Sequence, residues 1–194
     1  MSRRDFLSLS AMAGVTGLVG SSSILTSCGE KGPVYTPLKE AGTYYIPVLN
    51  DKADDGKELK AGVIGCGGRG SGAIYNLLAA ANGIKVTALG DTFADRLNGL
   101  KDSLAKNGQV VADENCFVGF DAYKKVIDSG VDMVIIATPP AFRPQHFQYA
   151  TEKGVHSFLE KPIAVDPKGY RTIMATAKQA QAKNLSVVCG TQRH

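Results

Sequence analysis

From residue 59 onward, short apolar runs alternate with longer segments in which apolar residues recur at helical spacing. The segment 93–106 shows the helical pattern clearly, with apolar side chains at Phe93, Leu97, Leu100 and Leu104. The pattern predicts strands at 59–64, 84–89, 117–118, 133–137, 155–159 and 186–189. It predicts helices at 73–81, 93–106, 121–127 and 167–183, and one more that follows a Pro-rich turn and ends near residue 152.

The run at residues 133–137 is almost continuously apolar, which is typical of a strand whose two faces are both buried. Asp121 is a suitable N-cap for the short helix that ends at Ile127. Strands that alternate with helices favour a parallel sheet covered by helices on both faces. We therefore predict an α/β fold with a doubly wound parallel sheet, the Rossmann architecture, over residues 59–194.

Composition and charge narrow the classes of partner. The chain has 194 residues, of which 44% are hydrophobic and 21% charged, and this is typical of a globular protein with one domain. The formal net charge is only +4, and Lys and Arg are scattered among Asp and Glu. Because nucleic-acid-binding proteins usually cluster their basic residues on one stripe, we expect no nucleic-acid partner.

The first 28 residues differ from the rest of the chain. Arg3, Arg4 and Asp5 are followed by an apolar stretch diluted with Ser, Thr and Gly, and the next charged residue is Glu30. A positive start, a modest apolar region and small residues near its end indicate an export signal. Residues 2–7 resemble the twin-arginine signal. Residues 25–28 resemble a bacterial lipobox, in which Cys28 becomes the lipid-bearing first residue.

These features predict an exported protein that is anchored to a membrane through Cys28, on the periplasmic side or in the cell envelope. An uncleaved N-terminal membrane helix is the alternative, although Gly14, Gly17 and Gly20 weaken it as a spanning helix. Residues 29–58 carry Gly, Pro, Lys and Asp without clear periodicity, which predicts a linker. The dinucleotide-binding domain would follow at 59–194.

A glycine pattern follows the first predicted strand. Residues 65–70 read GCGGRG and fit G-x-G-x-x-G at the start of a helix. The first glycine permits a tight turn, the second lets the backbone approach a pyrophosphate, and the third allows close packing of the helix. The N-terminus of the helix then favours an anion. The candidate cofactor-binding residues of this loop are Gly65, Gly67, Gly68, Arg69 and Gly70.

Asp91 stands at the end of the second strand region, two residues after the predicted strand 84–89 and 21 residues after Gly70. A carboxylate there accepts hydrogen bonds from both ribose hydroxyls and repels a 2′-phosphate, so the sequence favours NAD over NADP. Arg96 lies nearby and keeps NADP as the less favoured cofactor. The alternative reading of Asp91 is a loop or helix-capping acid.

Two later motifs extend the pattern. Ala137-Thr138-Pro139-Pro140 follows the fourth predicted strand, and Glu160-Lys161-Pro162 follows the fifth. Together with the glycine loop, they resemble the Gfo/Idh/MocA oxidoreductase family over about residues 59–194. The segment 190–194, GTQRH, resembles exported members of that family. Thr138, Lys161 and Gln192 each follow a strand, at the sheet edge where α/β folds bind ligands.

The resemblance implies roles for these residues. It implies that the turn Thr138, Pro139, Pro140 abuts the cofactor and that Lys161 lies between the nicotinamide ribose and the substrate. Glu160, Lys161 and Gln192 join the candidate cofactor-binding set, and Lys161 is the candidate catalytic residue. A lysine there can stabilise negative charge that develops on a reacting hydroxyl oxygen. Without the motif, Lys161 would be read as a solvated residue at a strand end.

The histidines and cysteines carry less weight. His146 is expected to cap or pack on its helix rather than to ionise in catalysis, and His156 is expected to be structural. Cys66, Cys116 and Cys189 are far apart and lack C-x-x-C spacing, so neither a metal site nor a disulfide framework is expected.

The resemblance implies a further α/β domain that supplies acid–base residues, because family members carry one after the nucleotide-binding half. We therefore expect this chain to be a fragment that does not turn over substrate alone. The predicted function is an NAD-dependent oxidoreductase acting on a sugar or polyol, of the kind used in carbohydrate metabolism. Family members often pair through the sheet of that second domain, which implies a homo-oligomer for a full-length protein.

Export constrains the mechanism, because free nicotinamide cofactor is absent outside the cytoplasm. We expect tightly held NAD that returns to its starting state in each cycle. The first alternative is an NAD-dependent glycosidase that oxidises a sugar transiently, eliminates the glycosidic substituent and returns the hydride. The second is a non-catalytic, lipid-anchored protein that binds a nucleotide or a sugar.

Overall fold

The computed structural model describes residues 58–191, and within this range it contains six strands and five α-helices. The predicted export signal at 1–28, the predicted lipidation site Cys28, nearly all of the predicted linker and the candidate site residue Gln192 lie outside the described residues. The strands are β1 (Leu59–Ile64), β2 (Ile84–Asp91), β3 (Cys116–Val118), β4 (Met133–Ile136), β5 (His156–Leu159) and β6 (Val187–Cys189). The helices are α1 (Gly68–Ala80), α2 (Ala94–Lys106), α3 (Ala122–Asp128), α4 (Arg143–Glu152) and α5 (Pro167–Ala182), and a 3-10 turn (Asp113–Asn115) precedes β3.

The six strands form one parallel sheet in the order β3-β2-β1-β4-β5-β6. The chain moves outward from β1 through β2 to β3 and then returns to place β4 on the other side of β1. This reversal is the topological switch point of a doubly wound fold, and ligands of such folds bind beyond the carboxyl ends of the strands beside it. The predicted Rossmann architecture is confirmed.

Each face of the sheet has its own hydrophobic core. On one face, Ile74 of α1 and Leu97 of α2 pack with buried sheet residues such as Val63. On the other face, Val126 and Phe147 pack from α3 and α4, and α5 adds further apolar side chains. The side chains of β4 alternate between the two cores, which explains why its sequence is apolar throughout.

Several boundaries differ from the predicted ones. Helix α1 begins at Gly68 rather than at residue 73, because the glycine-rich turn feeds directly into the helix although glycine is a poor helix former. Strand β2 continues to Asp91, two residues beyond its predicted end. Asp121 occupies the N-cap position of α3, but its side chain makes no capping hydrogen bond, so that part of the prediction is wrong.

Across residues 58–191, no helix combines the length and the apolar character that a bilayer crossing requires. Within the same range, no group of three or more His, Cys, Asp or Glu side chains is arranged to hold a metal ion.

Candidate functional site

A cleft of about 500 Å³ lies at the carboxyl edge of the sheet, at the switch point between β1 and β4. It is bounded by the glycine loop after β1, by the end of β2, by the turn after β4 and by the start of α4. Eight of the twelve predicted cofactor-binding residues line it, namely Gly65, Gly67, Gly68, Arg69, Gly70, Asp91, Thr138 and Pro139. The topology therefore assembles residues that are more than seventy positions apart in the sequence.

Two glycines of the loop are required by the fold itself. Gly65 has a φ of +95°, and a Cβ built on it would lie 2.8 Å from the Thr138 nitrogen. A Cβ on Gly70 would lie 1.8 Å from the Gly65 carbonyl oxygen, so only glycine lets helix α1 pack against the turn. These contacts confirm the steric roles predicted for the first and third glycines of the motif.

The two glycines between them have no such constraint. A Cβ on Gly68 would meet no protein atom within 4 Å, and a Cβ on Gly67 would meet only the Arg96 side chain, at 3.6 Å or more. Gly67 also has an ordinary extended backbone, with φ −69° and ψ −175°. Since no protein neighbour excludes a side chain at these positions, the open space is suited to an occupant that approaches the backbone closely.

The N-terminus of α1 faces this space with unpaired donors. The first intrahelical hydrogen bond runs from the Ser71 N–H to the Gly67 carbonyl, so the preceding amides of the first turn have no partner within the helix. Gly67 provides no capping side chain, and the first turn holds no acidic residue. Free N–H groups and the helix dipole therefore favour an anion such as a pyrophosphate.

Asp91 is buried at the end of β2, and its carboxylate is held by two backbone amides. Oδ2 accepts from the Cys66 N–H at 2.6 Å, and Oδ1 accepts from the Phe93 N–H at 2.9 Å. An ionised carboxylate has about four acceptor sites, so two remain for further donors. The bond to Cys66 ties the acid to the glycine loop, which places the predicted ribose acceptor beside the predicted pyrophosphate site.

The turn after β4 is held by a buried histidine. Thr138 Oγ1 lies 3.1 Å from His146 Nδ1, and the His146 ring stacks on Tyr123 with a centroid distance of 4.2 Å. Burial lowers the pKa of His146 to about 4, so the imidazole is neutral near pH 7. The structure confirms that His146 is a packed side chain, and it adds a hydrogen bond to the candidate cofactor turn.

Arg143, which the sequence analysis did not single out, lies beneath the cleft and is only 5% exposed. Its Nε donates to the Thr138 carbonyl at 2.7 Å, and its Nη1 donates to the Glu160 carbonyl at 2.6 Å and also to the Pro162 carbonyl. Burial lowers the pKa of its guanidinium from the ordinary value. In the sequence, the burial of Arg143 is indicated only by helical spacing, because Arg143 lies on the same face of α4 as the buried Phe147 and Ala150.

The two candidate residues that follow β5, Glu160 and Lys161, differ from each other in burial. Glu160 is 2% exposed, forms an ion pair with Arg69 of the glycine loop and also accepts from the Lys161 N–H at 3.3 Å. Arg69 thus connects the loop to β5 as well as lining the cleft. Lys161 is exposed, and within the described residues its ammonium makes no ion pair.

Not every candidate lines the cleft. Pro140 faces a separate pocket of about 330 Å³, where it is joined by residues such as Val165 and Asp166. Glu160 lines a further cavity of about 500 Å³ between α1 and strands β4 to β6, together with Arg69. Lys161 lines none of these three. Their predicted roles toward a cofactor remain predictions.

Aromatic side chains surround the mouth of the cleft, and the sequence analysis did not single them out as a group. Phe93, Phe120 and Phe142 line it and are 56%, 73% and 40% exposed. The Arg96 guanidinium lies over the Phe93 ring at 5.3 Å from its centroid. Exposed rings beside a cleft can stack on a flat ligand, and the guanidinium adds positive charge near Gly67.

The cysteine of the glycine loop is unsuited to thiolate chemistry. Cys66 is buried, its Sγ lies 3.5 Å from the Gly90 carbonyl, and burial together with Asp91 raises its pKa to about 12. The thiol therefore stays protonated and acts as a small packed side chain. The three cysteines of the described range are all free.

Comparison with known proteins agrees with this geometry. Residues 59–188 match the family model of the Gfo/Idh/MocA proteins, which is described as an oxidoreductase family with an NAD-binding Rossmann fold. The match spans the whole sheet except the end of β6, and it includes the glycine loop, Asp91 and both later motifs. The residues that line the cleft fit the dinucleotide that this family description names.

Longer relatives and a solved structure show the same similarity. A glycosyl hydrolase family 109 protein 2 of Shewanella sp. strain ANA-3 is 30% identical over 92% of this chain and 37% of its own length. A glycosyl hydrolase family 109 protein of Solibacter usitatus is 29% identical over 84% of this chain and 33% of its own length. The chain thus spans about a third of each relative.

The solved structure is that of scyllo-inositol dehydrogenase from Lactobacillus casei with bound NAD(H) and scyllo-inositol. It is 25% identical, superposes with a TM-score of 0.56, and covers 69% of this chain and 36% of its own length.

Proposed function

Because the chain belongs to the Gfo/Idh/MocA family of oxidoreductases, we propose that the full-length protein uses tightly held NAD to oxidise a hydroxyl of a sugar or polyol. The observation that carries this proposal is the match of the NAD-binding family domain to the residues that form the cleft. The solved dehydrogenase that holds NAD(H) and scyllo-inositol supports the substrate class, since inositol is a cyclic polyol. The relatives extend well beyond the matched region, so the activity belongs to the whole protein.

The chain's own residues divide the work of binding. The amides at the start of α1 hold the pyrophosphate, and Asp91 accepts hydrogen bonds from the adenosine ribose. When bound, NAD supplies the site that accepts and returns a hydride. Thr138 and Pro139 form the wall of the cleft on the β4 side.

Lys161 is the proposed catalytic residue. Its exposed ammonium follows β5 at the carboxyl edge of the sheet, where the second half of a dinucleotide lies. A positive donor at this position stabilises the negative charge that develops on a hydroxyl oxygen as the adjoining carbon loses hydride. The side chain therefore acts on the oxygen atom of the substrate and leaves the cofactor to receive the hydride.

Replacement of Lys161 by alanine in the full-length protein tests this role. Lys161→Ala is expected to lower kcat by about 10²- to 10³-fold, the range for loss of one oxyanion donor, while NADH still binds. The matched control is Lys85→Ala, which removes an exposed lysine near the opposite end of β2. An active Lys161→Ala enzyme would contradict this role, whereas absence of turnover in the wild type as well would favour a non-catalytic nucleotide- or sugar-binding protein.

A glycosidase is the second candidate, because two relatives are glycosyl hydrolase family 109 proteins. In this reaction, a sugar hydroxyl is oxidised transiently, the neighbouring carbon loses a proton, the glycosidic substituent leaves, and water and hydride are then added back. The two candidates differ in a product made in D₂O. A glycosidase product gains non-exchangeable deuterium next to the transiently oxidised carbon, and NADH does not accumulate. An oxidoreductase that holds its NAD instead yields an oxidised sugar or polyol together with a second, reduced sugar that takes up the hydride, and no glycosidic bond is broken.

Export and lipid attachment complete the proposal and rest on the sequence motifs at 2–7 and 25–28. An enzyme outside the cytoplasm has to carry its cofactor with it, and this agrees with the proposed tight binding. Metabolic labelling with a fatty acid is expected to mark the wild-type protein and not Cys28→Ala. Labelling of neither protein would contradict the lipid anchor.

A further inference from the structure

Arg143 makes an unusual set of contacts for a buried cation. Within the described residues, every hydrogen bond of its guanidinium goes to a main-chain carbonyl, at Thr138, Glu160 and Pro162. No carboxylate forms an ion pair with it in this range. Burial of a cation costs free energy unless its donors are satisfied, so these three carbonyls hold the guanidinium of Arg143 in place, and the charge of the nearby Glu160 carboxylate also favours its charged form.

The carbonyls belong to two separate segments. Thr138 lies in the turn after β4, whereas Glu160 and Pro162 flank Lys161 after β5. The donors of a guanidinium have fixed directions in one plane. One planar group bonded to both segments therefore fixes their separation and orientation, and side-chain rotation cannot relax this geometry.

Both segments lie on one side of the switch point. The glycine loop and Asp91 belong to β1 and β2, and they serve the adenosine and pyrophosphate of a dinucleotide. The remaining nicotinamide half then falls toward β4 and β5, because a dinucleotide crosses the switch point between the two halves of the sheet. Arg143 itself reaches the lining of the cleft on this side.

We propose that Arg143 is a positioning residue that fixes the turns at 138–140 and 160–162, with Lys161 between its anchor points, for the nicotinamide half of NAD. This inference rests on the proposed function, and it adds a residue that the sequence motifs do not contain. In this role, Arg143 acts through the main chain of the two turns and does not contact the reacting atoms.

Two ligands separate this role from a general structural one. NADH carries the nicotinamide half, whereas ADP retains the adenosine and the pyrophosphate and lacks both the nicotinamide and its ribose. In the full-length protein, Arg143→Lys keeps the charge but loses the planar fork, and Arg143→Gln removes the buried charge. Each variant is expected to bind NADH about tenfold more weakly and ADP within about twofold of the wild type. Arg171→Lys, on an exposed position of α5, is the control and is expected to change neither affinity.

Titration by calorimetry, with circular dichroism as a check of folding, gives distinct outcomes. An equal loss of affinity for both ligands, unchanged affinity for both, or failure of both variants to fold would each overturn the positioning role. A wild-type protein that binds NADH and ADP while the variants behave in one of these ways leaves the proposed function standing. A wild-type protein that binds neither ligand would overturn the proposed function and this inference together.

Discussion

The glycines of the loop between β1 and α1 serve two different physical purposes. Gly65 and Gly70 are glycines because the protein's own backbone would clash with any side chain there. Gly67 and Gly68 face open space, so the fold alone would accept alanine at either position. A substitution at the second pair therefore separates binding from stability.

Gly67→Ala is expected to leave the free energy of unfolding within about 1 kcal/mol of the wild type, since Gly67 has an ordinary extended backbone. The same change is expected to weaken NADH binding at least tenfold, because a methyl group would occupy the space through which a pyrophosphate approaches the loop. Urea unfolding and fluorescence titration with NADH measure the two effects.

Gly72→Ala is the matched control for that prediction. Gly72 lies in the first turns of α1, has no protein atom within 4 Å of a built Cβ and does not line the cleft. Its substitution should change neither NADH affinity nor the fold. If Gly67→Ala binds NADH as tightly as Gly72→Ala, the loop is not the pyrophosphate site.

The buried His146 predicts how stability depends on pH. Its pKa falls from 6.5 to about 4 on folding, so the unfolded chain takes up a proton at this residue before the native protein does. The stabilising contribution of the neutral ring is complete above pH 6.5, is lost as the pH falls to 4, and is constant below that. The expected loss is roughly 3 kcal/mol.

Urea unfolding between pH 4 and 7 measures this loss. His146→Phe keeps an aromatic ring against Tyr123 and cannot be protonated, so its stability should vary much less over the same interval. Equal pH dependence in the two proteins would show that His146 is not the responsible group.

At the scale of single residues, the sequence identified the glycine loop and Asp91, because their roles depend on local backbone geometry and a fixed distance along the chain. It did not identify Arg143 or the aromatic rim of Phe93, Phe120 and Phe142. These side chains matter through contacts with segments that are distant in sequence, and no local spacing encodes such contacts. Lys161 was chosen from its motif, and its role stays a prediction.

The elements show where local patterns determine structure and where packing does. The apolar run of β4 and the helical spacing of α2 were sufficient to predict both, since burial on a sheet dictates each pattern. The start of α1 was predicted five residues late, because glycines 68, 70 and 72 lower helix propensity while packing against the loop stabilises the helical turn.

Helix caps offer a matched comparison of two aspartates. Asp166 Oδ1 accepts from the Gly169 N–H at 2.5 Å at the N-terminus of α5, whereas Asp121 at the N-terminus of α3 makes no capping bond. Asp166→Ala is expected to lower the free energy of unfolding by about 1 kcal/mol. Asp121→Ala is expected to change it by less than about 0.5 kcal/mol. Similar losses in urea unfolding experiments would contradict this assignment of the caps.

At the scale of the whole molecule, loops from both halves of the sheet meet at its carboxyl edge. Arg69 joins the glycine loop to Glu160 after β5, and Arg143 joins the turns after β4 and β5. The parallel topology could be predicted from the alternation of strands and helices, and with it the edge at which ligands bind. The ties between the loops could not, because they depend on which long side chains reach across the folded edge.

The chain spans about a third of the length of its relatives, and its cleft is lined by residues that are predicted to bind the dinucleotide. The binding of a sugar or polyol, and the acid–base groups that act on it, are proposed for the full-length protein. The cofactor is therefore the part of the account that this structure supports most directly.

The most direct test is to identify the nucleotide that the protein carries. The full-length protein, expressed without residues 1–28, is purified and denatured, and mass spectrometry of the supernatant measures NAD(H) and NADP(H). NAD(H) is expected in a nearly one-to-one molar ratio with the protein. Absence of both nucleotides, together with no binding of added NAD, would contradict the assignment of the cleft at Gly65–Gly70 and Asp91 as a dinucleotide site.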